Sequence, residues 1–323
     1  MATENLAVSG PASFGRLYEV GATYTETIEL GGKRQSRERA AAANVNAAEL
    51  QLEDALRRGA AEVKRLFLVA VHARYSLEEA RDSRRTYEQL LQFETTRFQE
   101  GAIPELDLIK VRLERIKVDA TVAQAELALR EAVIHLLDKM GRSDLTSVQV
   151  TADLSLGARA LDIAALRVAT AARPDIVAAE AAVKAAEARA ALEKTRARAD
   201  IAPFAGYKRV GSDNTLLAGV TVPLKTRDRN EAEIARAEVD LRTAELRVQT
   251  LRRQAAAELE SAAAAVESAR RLAAEIQNEL LKQADDAQAI TLAAYEEGGT
   301  ALLPVLDAQR TRQDVRQQYF KTL

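Results

Sequence analysis

Twice in this chain a short strand-like segment runs directly into a helical pattern of nearly seventy residues, and few folds can hold even one such helix. Leu17–Leu30 leads into 33–99, and 216–224 leads into 229–297. At 1.5 Å per residue each helix is roughly 100 Å long, more than three times the width of a small domain. A compact enzyme has no use for that length, whereas a protein that crosses a wide gap does.

The strand segments alternate with period two. In 17–30, Tyr18, Val20, Ala22, Tyr24, Ile28 and Leu30 share one face, with Glu26 the exception, and the other face is glycine, threonine and glutamate. That span exceeds an ordinary globular strand and reaches the length of a tilted membrane-spanning one. A two-faced strand of a soluble sheet is the competing reading. The stretch 201–224 reads as a hairpin around the turn cluster Gly211-Ser212-Asp213-Asn214, with Pro203 leaving the start of its first strand open.

The long helices carry a seven-residue beat. In 229–297 it runs through Ile234, Leu241, Val248, Ala255, Ala262, Ala269, Ile276, Gln283 and Ile290. A second row follows Leu259, Val266, Ala273, Leu280 and Ala287. In 33–99 the rows are Val45, Leu52, Leu66, Ala73, Ala80, Tyr87 and Leu56, Val63, Ala70, Leu77, Leu91, Phe98. Sustained heptads impose left-handed supercoiling, and two seams per helix predict neighbours on two sides, as in a ring of helices. The composition agrees: only 20 of 323 residues are Gly or Pro, 4 % are aromatic, and Ala, Leu, Arg, Glu and Lys dominate.

Each long helix ends on a related phrase, Arg97-Phe98-Gln99-Glu100-Gly101 and Ala294-Tyr295-Glu296-Glu297-Gly298, with glycine as the stop. A further helix follows each, 104–140 and 304–323, proline standing near its first turn. The halves align at an offset close to 195 residues, which implies duplication. The expected organisation is a first repeat 1–143 (strand 17–30, helices 33–99 and 104–140), a linker 144–160, and a second repeat 161–323 (helix 161–199, hairpin 201–224, helices 229–297 and 304–323). The expected class is mainly α with a few strands.

Several chemistries are excluded or reduced to bland roles. A net charge of −2 with interspersed signs gives no basic face for nucleic acid. The absence of cysteine removes thiol catalysis and cysteine-held zinc. His72 and His135 have no companion at ligand spacing, so no metal site is expected. Glu78-Glu79 and Asp285-Asp286 are neighbours pointing about 100° apart on a helix and read as solvated charges. Gly31-Gly32-Lys33 lacks the rest of a phosphate loop and reads as a strand-to-helix hinge. No acid, base and nucleophile constellation survives, so neither an enzyme nor a cofactor is expected. Met1 to Gly15 shows no basic region followed by an apolar run, hence no signal peptide.

Strands feeding duplicated long helices, together with Thr27-Ile28-Glu29-Leu30-Gly31-Gly32-Lys33-Arg34, Ala172-Arg173-Pro174-Asp175-Ile176, Val222-Pro223-Leu224 and Leu306-Asp307-Ala308-Gln309, resemble the TolC-like outer-membrane efflux factors. The Gly-Gly-Lys-Arg phrase is most similar to their heavy-metal branch, which serves cobalt-zinc-cadmium and copper-silver exporters. The resemblance implies a homotrimer whose subunits each give four strands to a shared β-barrel in outer-membrane lipid and whose helices are staves of an α-barrel in the periplasm. It implies a passive conduit working with a periplasmic adaptor (membrane-fusion) protein and an inner-membrane efflux pump. It also implies tip residues for gating and adaptor docking: Gly101, Asp107 and Arg112 in the first turn, Gly298, Val305, Leu306, Asp307 and Ala308 in the second. Arg112 and Gln309 are expected as polar companions of the two aspartates, whose bland role is to offset the helix dipole. The chain departs from the pattern at Lys225-Thr226-Arg227, at Ala199-Asp200-Ile201, in starting near the second strand and in stopping at Leu323, so it is expected to be truncated. A soluble coiled-coil scaffold is the alternative, and stability without detergent would favour it.

Overall fold

The computed structural model describes residues 7–9, 19–142, 144, 148–157, 161–224 and 229–323. Leu17 and Tyr18, part of the predicted linker, and Lys225-Thr226-Arg227 lie outside them. The chain divides into two compact units, residues 1–55 with 167–256 and residues 56–166 with 257–323. These units cut across the duplicated halves, because each long helix supplies residues to both.

The first unit is built on one antiparallel sheet in the order β1-β2-β3-β4, comprising Ala7–Ser9, Glu19–Thr25, Ala202–Val210 and Asp213–Thr221. The predicted strand over 17–30 is shorter: it stops at Thr25, one residue before Glu26 breaks the apolar row. Only an isolated bridge, Ile28 to Ile201, continues the pairing. A short strand ahead of it, β1, pairs with β2 and corrects the expectation that the chain starts at the second strand. Val210 pairs with Asp213, so the hairpin turn is just Gly211-Ser212, with Gly211 at φ +60°. Asp213 and Asn214 belong to the strand.

Residues opposite one another in an antiparallel ladder point to the same face. Val20, Ala22 and Tyr24 therefore share a face with Ala205, Tyr207, Leu216, Ala218 and Val220. On that face Val20 is 52 %, Val220 60 % and Leu216 86 % exposed. The opposite face carries Thr23, Thr25, Lys208 and Glu19, the last two joined at 2.5 Å. It is also the tighter side, since a Cβ on Gly206 would meet Thr23 Oγ1 at 2.7 Å. The apolar face outward and the polar face inward invert a soluble sheet and match a membrane β-barrel wall.

Gly31 and Gly32, at φ +77° and +75°, turn the chain from sheet to helix. Asp200 Oδ1 accepts from the Leu30 amide at 3.0 Å and pairs with buried Lys33 at 2.7 Å, fixing that turn. Helix α1, Lys33–Gln99, follows with the predicted bounds. The predicted single helix over 161–199 is two, α3 (Ile163–Ala171) and α4 (Pro174–Arg196). Pro174 is the cause, since it disfavours helical geometry at Arg173, which sits extended at ψ 135°. Ala47 of α1 meets Ala181 and Ala185 of α4, small side chains that permit close approach.

In the second unit α1 packs with α2 (Glu105–Lys139), α6 (Leu281–Glu296) and α7 (Leu302–Thr322). The predicted helix over 229–297 is interrupted. It runs as α5 (Glu231–Glu275), then a π turn at Ile276–Leu280, then α6. Ala255 and Ile276 of the predicted row are buried, but Gln283 and Ile290 beyond the π turn are exposed, and Ala284 and Tyr295 take the inward places. A π turn inserts one residue and rotates everything after it by about 100°. Gln283, the one polar member of the row, marks where the heptad fails.

Candidate functional site

The two helix ends that the sequence pairs are built identically. Gly101 at φ +72° donates to Phe98 O at 3.0 Å, and the Ala102 amide to Arg97 O at 2.8 Å. Gly298 at φ +76° donates to Tyr295 O at 3.0 Å, and the Gly299 amide to Ala294 O at 2.7 Å. Each is a Schellman stop, which only glycine enters without backbone strain.

Around these turns the expected site residues divide into two groups. Val305 and Leu306 point inward, completing a cluster with Tyr87, Leu90, Val111, Val118, Tyr295 and Leu302. Gln309 is also buried, 3 % exposed, on the wall of a cavity of about 100 Å³ beside Thr86, Tyr87, Leu90 and Leu292. Ala308 is half-buried, while Gly101, Arg112, Gly298 and Asp307 are exposed. The expected companions do not meet. Asp107 pairs with Lys110 at 3.0 Å, one turn along its own helix, in place of Arg112. Gln309 turns into the cavity, and its amide has no hydrogen-bond partner among the described residues, Asp307 included. Asp107 lies in the first turn of α2, where it offsets the helix dipole. Asp307 lies past the first turn of α7, which begins at Leu302, two residues before the predicted start.

Sequence reasoning missed the polar groups that tie these helices together. Glu94 is fully buried and accepts from the Tyr295 hydroxyl at 2.8 Å. Burial pushes the Glu94 carboxyl up, partly offset by that hydrogen bond and by Arg97. Burial and the Glu94 hydrogen bond together push the Tyr295 phenol up. The Arg97 guanidinium lies over the rings of both Phe93, at 5.4 Å, and Tyr295, at 5.1 Å. Phe98 and Tyr295 occupy the same place in the duplicated stop, yet Phe98 is 38 % exposed and Tyr295 only 4 %. The quoted phrases contained the pair; the contrast of phenyl with phenol was the available signal.

A second tie joins α2 to α7. Glu114 accepts from Arg310 at 2.6 Å and Lys117 at 2.7 Å. Burial pulls its carboxyl up, but the two cations outweigh burial and leave it lowered. Further from the turns, Glu79 and Asp285 correct the reading of adjacent acids as solvated. Their neighbours Glu78 and Asp286 are exposed, but the Glu79 side chain is 3 % exposed and pairs with Arg316. Asp285 binds Arg312 and Arg316.

The arrangement offers no reacting centre. No group of three or more His, Asp or Glu side chains suited to a metal ion occurs among the described residues. No helix among them is long and apolar enough to cross a membrane. The chain matches the family described as Outer membrane efflux protein over residues 5–142 and 165–322. It is 26 % identical over 298 residues to the cobalt-zinc-cadmium resistance protein CzcC of Cupriavidus metallidurans, covering 92 % of this chain and 71 % of that protein. Among solved structures, a membrane protein from Pseudomonas aeruginosa superposes with a TM-score of 0.80 at 22 % identity, over all of this chain and 81 % of that one. The Campylobacter jejuni CmeC outer membrane channel superposes with a TM-score of 0.81 at 14 % identity, over all of this chain and 73 % of that one. These matches do not favour a soluble scaffold, and such a protein would not present the sheet's apolar face to water. The chain belongs to the outer membrane efflux protein family and is a subunit of an outer-membrane efflux channel.

Proposed function

We propose that three copies of this chain close one passive conduit, which takes divalent heavy-metal cations from an inner-membrane pump through a periplasmic adaptor. The observation that carries the assembly is on α2. Leu106, Ile109, Leu113, Ile116 and Leu127 are 41–60 % exposed. They repeat at heptad spacing as a coiled-coil seam with no helix on it among the described residues. A further copy of the chain supplies the missing helix. The cation class rests on the likeness to the cobalt-zinc-cadmium resistance protein. It requires no soft-metal ligands in the wall, because a conduit need not bind what a pump drives through it.

The tip reading rests on the two glycine stops, with Gly101, Asp107, Arg112, Gly298, Val305, Leu306, Asp307, Ala308 and Gln309 around them. Within that set, the exposed Arg112 and Asp307 are the groups free to meet an adaptor, while Val305, Leu306 and Gln309 shape the surface from beneath. The deciding experiment reconstitutes the full chain in planar bilayers and in a metal-sensitive host carrying the pump and adaptor. Trimers with discrete conductance and restored cobalt, zinc or cadmium resistance are expected. A monodisperse monomer stable without detergent overturns the conduit, and conductance without restored resistance overturns the metal assignment alone.

A further inference from the structure

The buried end of the α1–α7 seam holds four charges that the conduit reading does not use. Arg316 of α7 reaches Glu79 of α1 at 3.4 Å and Asp285 of α6 at 3.1 and 3.2 Å. Arg312, one turn earlier on α7, reaches Asp285 at 2.7 Å. The closer bonds of both arginines therefore go to Asp285, and Glu79 receives the longest. Its other carboxyl oxygen, Oε1, is buried with no partner, as is Ser83 Oγ one turn along α1. An ionised carboxylate in that position is undercompensated, since each of its oxygens can accept two hydrogen bonds. Asp82, on the same helix, adds further negative charge. The α6 side of the seam borders the π turn Ile276–Leu280, against which α7 also packs.

We propose that Glu79 is a proton-linked clasp: its neutral carboxyl holds α7 closed on α1, and its ionisation loosens that seam while Asp285 keeps α6 and α7 paired. Burial pushes the Glu79 carboxyl above its ordinary value of 4.5, with Arg316 and then Arg312 pulling the other way. The direction of the effect follows from linkage. A carboxyl raised in the packed state and ordinary in the open state makes packing take up a proton. Packing is therefore favoured by acid and loses stability as pH rises from the ordinary carboxylate range through the raised value. The usual buried acid, lowered by its partners, behaves in the opposite sense.

Hydrogen exchange of the full chain in detergent tests this between pH 5 and 8, after correction for intrinsic exchange. Protection of the α7 amides is expected to fall as pH rises, by up to about tenfold per pH unit, the limit for one proton. E79Q is expected to keep high protection and lose the slope, while E78Q, at the exposed neighbour, keeps it. Should E79Q fail to fold, an infrared titration of the unaltered chain decides. A protonated-carboxyl band that persists above pH 4.5 over the range where α7 protection changes supports the clasp. Protection independent of pH, a slope unchanged in E79Q, or absence of that band overturns it.

Discussion

At Gly101 and Gly298 a methyl group would meet no atom within 4 Å, so the whole penalty of a substitution there is backbone strain at positive φ. Gly101→Ala and Gly298→Ala should each cost about 1–2 kcal/mol, seen as lowered thermal midpoints with helix content retained at 25 °C. Gly206 is a different case: a Cβ there collides with Thr23 Oγ1 at 2.7 Å and the Ala22 carbonyl at 3.0 Å, so the neighbouring strand must move. Charge gives a second prediction at this scale. The Glu114 carboxyl is lowered in the folded chain, so its contribution is present above the ordinary carboxylate value and is lost as pH falls through the lowered one. Glu114→Gln should lower stability at pH 7 by about 1–3 kcal/mol, the worth of hydrogen bonds to a charged group. The deficit should shrink on acidification, as urea unfolding at pH 7 and pH 4 would show. The glycines were legible because the conformation is local and the residue type announces it. Glu114 and Glu94 were not, since their partners lie some two hundred residues away and nothing in a helical pattern tells a buried glutamate from a solvated one.

The elements were legible wherever one period ran unbroken. Helix α1 has no proline and no change of phase, and its bounds are those the sequence predicts. Proline 174 was in plain view, yet the surrounding alanines carry a helical pattern across it, and only its effect on Arg173 divides α3 from α4. The π turn left a fainter trace, a single glutamine in an apolar row. It has a measurable consequence, because the extra residue sets the angular position of Ala284, Asp285 and Tyr295. Deleting Gln277 would restore a continuous α-helix and rotate α6 by about 100°. Gln283 and Ile290 would then turn inward, while Asp285 would leave Arg312 and Arg316. That deletion should lower the thermal midpoint by more than 10 °C, whereas deletion of a residue from a solvent-exposed loop would not. A midpoint within 2 °C of the parent would mean that the π turn does not set the packing of α6.

At the scale of the assembly, the two apolar surfaces left uncovered on one chain call for different solvents. The sheet presents Val20, Leu216 and Val220 on a face whose reverse is polar, the pattern of a wall between lipid and water. The α2 seam is different, because its flanks carry charge: Arg115 and Asp119 are paired at 2.8 Å, as are Arg81 and Glu126 at 2.7 Å. Charged flanks beside an apolar stripe suit a helix partner in water rather than lipid. Each Leu or Ile buried there contributes about 1.5–3 kcal/mol, and a buried unpaired carboxylate in its place adds a desolvation cost of several kcal/mol. Leu113→Asp and Ile116→Asp should therefore convert the trimer to monomer at micromolar concentration while leaving the fold intact, because both positions are already open to solvent within one chain. Light scattering after size exclusion reads the mass and circular dichroism reads the helices. Loss of helix along with the trimer would mean that the seam supports the subunit itself, and a trimer that survives both substitutions would mean that the copies meet elsewhere.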